Sequence, residues 1–281
     1  MRCQTYTLTD DYHNVILRSY HSLLAPQSRE YREHHHTECE ISVFLAGRGI
    51  YRVGGVSYEF QAGNVFLFGS NEAHCITEIY EDMDVLNLHF ESKLLWEHTE
   101  GVELLNIFAA RSKGFCHCFE DPDGVLSRKL LELEREITEQ NTCCALTAKY
   151  LLFSILVHMI RHYDCVNPER AINSSSSTTK SLKKTLQYIN ENLGNRLTLK
   201  ELADVACMTP TYFSSVFKKF NGVSPWEYIT IKRVERAIDM LKSTDMTKLE
   251  IAEQCGFSSS SNFYKAFVHI TGKKPNDFTK K

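Results

Sequence analysis

The stretch TLKELADVACMTPTYFSSVFKKFNGVSP (residues 198–225) returns in altered form as TKLEIAEQCGFSSSSNFYKAFVHITGKKP (residues 247–275). The offset is 49 residues at the first threonine and 50 residues from Phe213 and Phe263 onward. The one-residue insertion therefore falls in a turn, where insertions are tolerated best. Two copies of a small helical unit at a fixed separation are suited to reading two segments of a long periodic ligand, of which duplex DNA is the usual one.

Each copy is predicted to form a helix, a tight turn and a second helix. Thr198 with Glu201, and Thr247 with Glu250, have the spacing of a capping box at a helix N-terminus. Thr209-Pro210 predicts the start of the second helix in the first copy. In a helix-turn-helix, the N-terminal half of this second helix reaches base edges in the major groove. The alternative is a plain helical bundle with a solvated basic face.

The outward faces of the two second helices supply the predicted DNA contacts. Asn262 is suited to bidentate bonding with adenine, and Lys265 to the guanine acceptors. Lys218 and Lys219 are predicted to contact phosphates, which positions a protein without reading sequence. The complete predicted set is Thr211, Ser214, Ser215, Lys218, Lys219, Ser260, Ser261, Asn262 and Lys265. A helix predicted over residues 225–241 spans about 25 Å and, with its turns, sets the two readers about one DNA turn apart.

The repeat resembles the DNA-binding domain of the AraC/XylS transcription regulators over residues 182–281. The positions that carry the resemblance are Ile251-Ala252, Gly256-Phe257, Phe263, Phe267, Gly272 and Pro275. The resemblance implies a sequence-specific DNA-binding regulator. It also implies activation of transcription through contact with RNA polymerase, under the control of a small effector bound in a separate N-terminal domain.

Charge is distributed unequally along the 281 residues. From Lys180 onward there are 17 Lys and Arg against 10 Asp and Glu, a net charge of +7, whereas the preceding residues carry 15 basic and 25 acidic side chains, a net charge of −10. A polyanionic partner is therefore expected for the C-terminal part alone. Ten irregularly spaced cysteines indicate reduced thiols. Together with a polar N-terminus and no long uninterrupted apolar run, they predict a cytoplasmic protein with no membrane partner.

The N-terminal part is predicted to be a cupin-like barrel over residues 1–122, which makes the chain a multidomain α+β protein. Short strand candidates lie at 41–45, 49–53, 56–60 and 64–68. Gly54-Gly55 predicts a tight hairpin between the second and third of them. The pattern His-x-His-x3-Glu-x6-Gly, from His34 to Gly47, resembles the first cupin motif, and residues 63–74 resemble the second. Cupin-like barrels are also the common sensor domain of AraC-type regulators.

His34, His36 and Glu40 are expected to share one face of a strand, because their positions have equal parity. Three interpretations compete for them and for His74: an enzymatic metal site for Fe, Mn or Zn, a pocket that hydrogen-bonds a small polar ligand without metal, and a set of structural polar groups. Attachment to a DNA-binding unit favours the ligand pocket. Its polar, imidazole-rich character favours a carbohydrate. The predicted effector site, with no metal or other cofactor assigned, comprises Arg32, His34, His36, Glu40, Tyr51, His74 and His89.

Two helices are predicted between the barrel and the repeat, forming an antiparallel hairpin over residues 123–165. The first carries an apolar stripe at Leu126, Leu130, Leu133 and Ile137, and the second is apolar on more than one side, with Leu146, Tyr150, Phe153, Val157 and Ile160. Such stripes pack on the barrel or on a second copy of the chain, and the family resemblance favours a homodimer. The serine-rich segment that follows predicts a flexible linker over 166–181. Two further alternatives are a metal-dependent cupin enzyme fused to a DNA-binding tail and a regulator that needs no effector.

Overall fold

A computed structural model describes residues 2–9, 15–26, 32–96, 104–105, 107–108, 115–166 and 175–279. The chain divides into two compact units, Met1–Ser176 and Ser177–Lys281. Unit 1 is built from strands followed by a pair of helices, and unit 2 is helical. The multidomain α+β architecture predicted from sequence is confirmed.

Unit 1 contains two antiparallel sheets among its described residues. Their strands are β1 (Arg2–Thr9), β2 (Val15–Leu24), β3 (Cys39–Ala46), β4 (Arg48–Val53), β5 (Val56–Gln61), β6 (Asn64–Phe68), β7 (His74–Ile79), β8 (Met83–Phe90) and β9 (Cys118–Glu120). The larger sheet has the order β1-β2-β8-β3-β6-β9, and the smaller has the order β5-β4-β7. All four strand candidates from the sequence are confirmed. The glycines of the β4–β5 hairpin have positive φ angles of 54° and 84°, as a tight hairpin requires.

The two sheets pack face to face around an aromatic core. Phe44 and Phe66 of the larger sheet meet Tyr51 and Phe60 of the smaller one, and the rings of Phe44 and Phe60 are stacked at 4.0 Å. Because side chains alternate along a strand, the inner face that carries Phe44 also carries Glu40 towards the start of β3. The barrel is therefore apolar in its middle and polar at one end.

The predicted helical hairpin is present as α1 (Val125–Glu139) and α2 (Cys144–His162). Asp121, directly after β9, ties it to the barrel. Its carboxylate accepts the backbone N–H groups of Leu126 and Ser127 in the first turn of α1 and the hydroxyl of Tyr163 beyond α2. Both ends of the hairpin are thereby joined to the last strand of the larger sheet.

Helix α2 has two apolar faces. One is buried and comprises Ala148, Leu151, Leu152, Ile155, Leu156 and Met159. The other includes Leu146 and Tyr150, which are 70% and 69% exposed. By length and composition α2 is also apolar enough to cross a membrane. The residues of its buried face pack in the core of unit 1.

Unit 2 has six α-helices among its described residues: α3 (Ser175–Glu191), α4 (Leu199–Val205), α5 (Pro210–Asn221), α6 (Pro225–Ser243), α7 (Lys248–Gln254) and α8 (Ser260–Thr271). The capping boxes of Thr198 and Thr247 are both formed, and the side chain of Thr209 caps α5. Phe213 and Phe263 are fully buried at matching places. The two helix-turn-helix units and their connecting helix are confirmed.

The prediction of a flexible linker over 166–181 is wrong in its second half. Helix α3 already begins at Ser175, so residues 175–181 are helical, and residues 167–174 lie outside the described part of the chain. Thr179 is 6% exposed and Leu182 is fully buried. The serine-rich composition did not predict this helix, because the packing of Thr179 and Leu182 outweighs the weak helix propensity of the segment.

Candidate functional site

Glu40 is the centre of a polar cluster at one end of the barrel. Its side chain is 2% exposed. Oε2 lies 2.9 Å from Nε2 of His36, 3.3 Å from Nε2 of His74 and 3.2 Å from Nε2 of His89. The other carboxylate oxygen, Oε1, accepts a hydrogen bond of 2.5 Å from the hydroxyl of Ser42. One buried carboxylate therefore organises three imidazoles and a hydroxyl.

The histidines reach Glu40 from different elements. His89 is the register partner of Glu40 on the adjacent strand β8. His74 begins β7, and His36 lies in the segment before β3, where its Nδ1 bonds the carbonyl of Glu38 at 3.0 Å. His34 forms an isolated two-way backbone bridge with His74, with N···O distances of 3.2 and 3.0 Å. The expectation that His34, His36 and Glu40 share one strand is wrong, because β3 begins only at Cys39.

The charges of the cluster are coupled. Burial alone would raise the pKa of Glu40, but the electrostatic influence of His89, the hydrogen bond from His36 and the proximity of His74 hold it well below its usual value. Burial would lower the pKa of His36, yet its hydrogen bond and ion pair with Glu40 raise it overall. Burial lowers the pKa values of His34 and His89. The cluster is thus an ionised carboxylate with imidazoles that differ in their readiness to carry a proton.

The imidazole of His74 is only partly satisfied. Its Nδ1 lies 2.7 Å from the carbonyl of Glu72. Its Nε2 faces Glu40 but has no hydrogen bond, although the side chain is 1% exposed. Buried polar atoms of this kind are rare in folded proteins. The atom is available to a ligand that enters the cluster.

Among the residues that the structure describes, two sets of three donors have the proximity needed to hold a metal ion. They are His34, His36 and His74, and His36, Glu40 and His89; within each set the donor atoms lie within 4.8 Å of one another. Imidazole and carboxylate ligands suit Zn, Fe, Mn and related ions. The donor set therefore fits a transition metal as well as it fits the hydroxyl groups of a polar organic ligand.

Two other predicted members of the effector site, Arg32 and Tyr51, lie next to the imidazoles that surround Glu40. Arg32 is exposed, and its contact with the cluster is a backbone hydrogen bond to His34. Tyr51 is 5% exposed and lies among aromatic rings, at 5.3 Å from Phe68 and 6.2 Å from His74. Burial raises its pKa well above the usual value. Tyr51 thus forms the floor between the cluster and the apolar core.

Sequence reasoning missed three neighbours of the cluster. Ser42 could have been predicted from strand alternation, because it is two positions beyond Glu40 on the same strand and therefore faces the same side. The ring of Tyr20 lies 4.7 Å from that of His89, and Arg18 pairs with Glu38 at 2.8 Å. Both belong to β2, and no local signal in the sequence shows that β2 pairs with β8.

The predicted DNA-contacting residues lie on the outer faces of α5 and α8. Thr211, Ser215, Lys218, Lys219, Ser261, Asn262 and Lys265 are exposed, whereas Ser214 and Ser260 are half-buried. Asn262 donates a hydrogen bond of 2.9 Å to the hydroxyl of Ser258 from its side-chain amide. This bond orients the amide at the N-terminal end of α8, the part of a recognition helix that approaches base edges.

Comparison with known proteins agrees with both units. The sequence profile of the AraC-like ligand binding domain matches residues 21–156, and that of a helix-turn-helix domain matches residues 202–281. The Msm operon regulatory protein of Streptococcus mutans is 25% identical over 247 residues, which span 85% of this chain and 83% of the relative. The Melibiose operon regulatory protein of Escherichia coli is 22% identical over 267 residues, 88% of this chain and 83% of the relative.

Among solved structures, the DNA-binding domain of AdpA in complex with a target DNA is similar. It is 26% identical, covers 35% of this chain and 88% of its own, and superposes with a TM-score of 0.34. The two profiles lie in the order in which the structure places a barrel and a pair of helix-turn-helix units. The chain belongs to the AraC family of transcriptional regulators, with a ligand-binding domain followed by a helix-turn-helix DNA-binding domain.

Proposed function

We propose that the chain activates transcription in response to a carbohydrate bound at the Glu40 cluster. The observation that carries this proposal is the buried carboxylate with its ring of imidazoles and the unbonded Nε2 of His74. A carboxylate accepts and an imidazole donates or accepts, so the cluster is complementary to hydroxyl groups, which do both. Ligand sites usually combine an apolar wall with a few converging polar groups. The name of the melibiose regulator supports a sugar as the class of effector.

Control by an effector requires two arrangements of the protein with different affinities for it. A ligand shifts such an equilibrium only by the difference between its affinities for the two states. The effector-bound arrangement then places α5 and α8 in successive major grooves of the DNA. RNA polymerase is the partner that the DNA-bound regulator contacts to activate transcription. A cytoplasmic location follows from this role.

We also infer that the active form is a homodimer joined through the exposed face of α2. Leu146, Tyr150, Phe153, Val157 and Ile160 follow one another at spacings of 4, 3, 4 and 3 residues, and all are exposed or half-buried. This is the repeat of a coiled-coil seam. The same stripe on α2 of a second copy is therefore complementary to this one. Tyr150→Glu should convert a dimer into a monomer in sedimentation equilibrium, whereas Lys149→Glu serves as the matched change on the same helix.

The decisive experiment is selection of bound duplexes from a random DNA pool by the full chain, with and without a mixture of carbohydrates. We expect a site with two blocks about one DNA turn apart and a change in its enrichment when sugars are added. Enrichment that is identical in both conditions would favour a regulator that needs no effector. Absence of any enriched site would reject DNA reading by the repeat.

A second candidate, a metal-dependent cupin enzyme fused to a DNA-binding tail, is favoured by one observation. The donor atoms of His34, His36 and His74 lie within 4.8 Å of one another, and Nε2 of His74 is buried without a hydrogen bond. Elemental analysis of the purified chain distinguishes the two candidates. One equivalent of a transition metal that is lost in His36→Ala would support the metal site, and a metal-free chain that still binds a sugar would reject it.

A further inference from the structure

A cleft of 780 Å³ opens within unit 2, beside the second helix-turn-helix unit. Its lining includes Arg196, Trp226, Arg233, Asn262 and Lys265. Three cationic side chains thus face the cleft, against a single carboxylate, that of Glu253. A concave surface with this balance attracts anions.

The cleft shares a wall with the second recognition helix. Asn262 and Lys265 lie about one turn apart on α8, and both belong to the predicted base-contacting face. When the N-terminal half of α8 lies in a major groove, the sugar-phosphate backbone that borders the groove must run past the mouth of the cleft. A DNA phosphate is therefore the anion that we expect this cleft to meet.

The turn that carries Arg196 is held in place by Arg233 of α6. Nε of Arg233 donates to the carbonyl of Leu193 at 2.9 Å, and Nη2 donates to the carbonyl of Asn195 at 2.8 Å. On the other side of Arg196, Leu197 is 6% exposed. Arg196 itself is exposed between these two anchored neighbours. Its guanidinium therefore projects from a fixed piece of backbone.

The same turn packs directly on the turn of the second helix-turn-helix unit. A Cβ atom on Gly194 would lie 2.8 Å from the carbonyl oxygen of Gln254, and a Cβ atom on Gly256 would collide with the carbonyl oxygen of Leu193. The guanidinium carbon of Arg233 lies 6.0 Å from the ring centre of Phe257. Arg196 is thus held at a fixed distance from α8 by backbone contact that only glycine permits.

We propose that this cleft is a third DNA contact, in which Arg196 and the indole N–H of Trp226 bind phosphate oxygens between the two major-groove segments. A guanidinium fork matches a phosphate in bidentate geometry, and indole is a donor without acceptor capacity. Trp226 is 46% exposed, so its ring is accessible. Arg233 acts as a positioning residue. The inference rests on the proposed reading of two successive grooves.

The test is the dissociation constant of the full chain for its selected duplex and for a scrambled duplex, measured over a range of salt concentrations. Arg196→Ala should weaken both by a similar factor, about tenfold, and should reduce the slope of log K against log salt by about one. Trp226→Phe keeps an aromatic ring but removes the N–H, and it should weaken both duplexes by a smaller common factor. Arg135→Ala, which removes an exposed cation from α1 in unit 1, is the control.

The positioning role of Arg233 has its own readout. Arg233→Lys keeps the charge but loses the guanidinium fork whose Nε and Nη2 reach the two carbonyls, so it should lower the salt slope as Arg196→Ala does. Combining the two changes should then cause no further loss. An additive loss would overturn the positioning role.

The remaining outcomes separate this inference from the proposed function. If Arg196→Ala matches Arg135→Ala in affinity and slope while the selected duplex still binds, the cleft is not a DNA contact. If the loss is confined to one sequence, Arg196 reads a base and the phosphate assignment is wrong. If the unaltered chain binds no duplex, both the proposed function and the inference fail.

Discussion

Glu40 and His89 face each other as register partners on β3 and β8, with Nε2 of His89 3.2 Å from Oε2 of Glu40. The pair lies on the inner face of the larger sheet, above the aromatic core. A buried charge is tolerated only when it is paired and hydrogen-bonded. The cross-strand pair therefore fixes an ionised carboxylate at the polar end of the barrel.

Replacing Glu40 by Gln should lower the pKa of His36. Burial lowers this pKa, and the hydrogen bond and ion pair with Glu40 are the largest influences that raise it above its ordinary value of 6.5. Removing the negative charge of Glu40 leaves only the smaller raising influence of Glu38 against burial. NMR titration of the imidazole in the presence of a chelator measures the change. Ser42→Ala, which removes the hydroxyl but keeps the carboxylate, should leave His36 with its raised pKa.

The direction of the accompanying change in the free energy of unfolding follows from the raised pKa of His36. A raised pKa in the folded state means that the protonated form of His36 contributes stability at low pH, which is lost as pH rises through the folded-state pKa. Glu40→Gln should remove this contribution of His36. If the free energy of unfolding keeps the same His36-dependent decrease as pH rises above 6.5 in this variant, Glu40 does not control this imidazole.

Replacing Asp121 by Asn should destabilise unit 1 by about 1–3 kcal/mol, the range for losing charge-assisted bonds to a helix N-terminus. Burial opposes ionisation of Asp121, but bonds from Ser127, Leu126 and Tyr163 lower its pKa overall. Its stabilisation is therefore present above the unfolded-state pKa and is lost as pH falls through the lower folded-state pKa. Urea unfolding at several pH values checks both the size and this acid limb.

Asp123→Asn is the matched control for Asp121, because Asp123 is exposed at the same corner. It should leave the free energy of unfolding of the chain nearly unchanged. Equal losses in the two variants would mean that net charge at the corner, rather than the bonds of Asp121, stabilises the hairpin.

Asn262→Ala and Lys265→Ala should each relax base preference in one part of the selected site. A good bidentate base contact contributes about 1–3 kcal/mol of discrimination. Competition between the selected duplex and single-base variants gives this quantity position by position. A pattern of preferences that stays intact in both variants would place the second recognition helix elsewhere on the DNA.

Lys218→Ala should weaken binding to every duplex by a similar factor. Lys218 is exposed in the last turn of α5, away from the N-terminal half that approaches base edges. As a phosphate contact it should reduce the salt slope by about one. Fluorescence anisotropy at several salt concentrations tests this, and a loss restricted to the selected sequence contradicts the assignment.

The DNA-binding unit was predictable from sequence because its signals are local. A capping box joins residues three apart, as in Thr198 with Glu201, and the burial of Phe213 follows from helical spacing. These relationships hold within one or two turns of helix. Because the unit is repeated, each of these signals occurs twice in the sequence.

The Glu40 cluster was predictable only in its composition. The histidines and Glu40 were found from their spacing, but strand parity failed for His34 and His36, because both lie before β3 begins at Cys39. His34 is held by a backbone bridge to His74, and His36 reaches Glu40 through its own side chain. Tyr20 and Arg18 join the cluster because β2 pairs with β8 across more than 60 residues of sequence. The pairing of two strands so far apart in the chain cannot be predicted from a local sequence pattern.

The sequence by itself therefore determined the two helix-turn-helix units, their caps and the residues on their outer faces, since helical periodicity and capping act between near neighbours. Only the tertiary structure decided which donors surround Glu40, that α3 begins at Ser175, and that Arg233 pins the turn of Arg196 against Gly256. Each of these depends on contacts between segments far apart in the chain, whose energies come from burial and pairing rather than from local propensity.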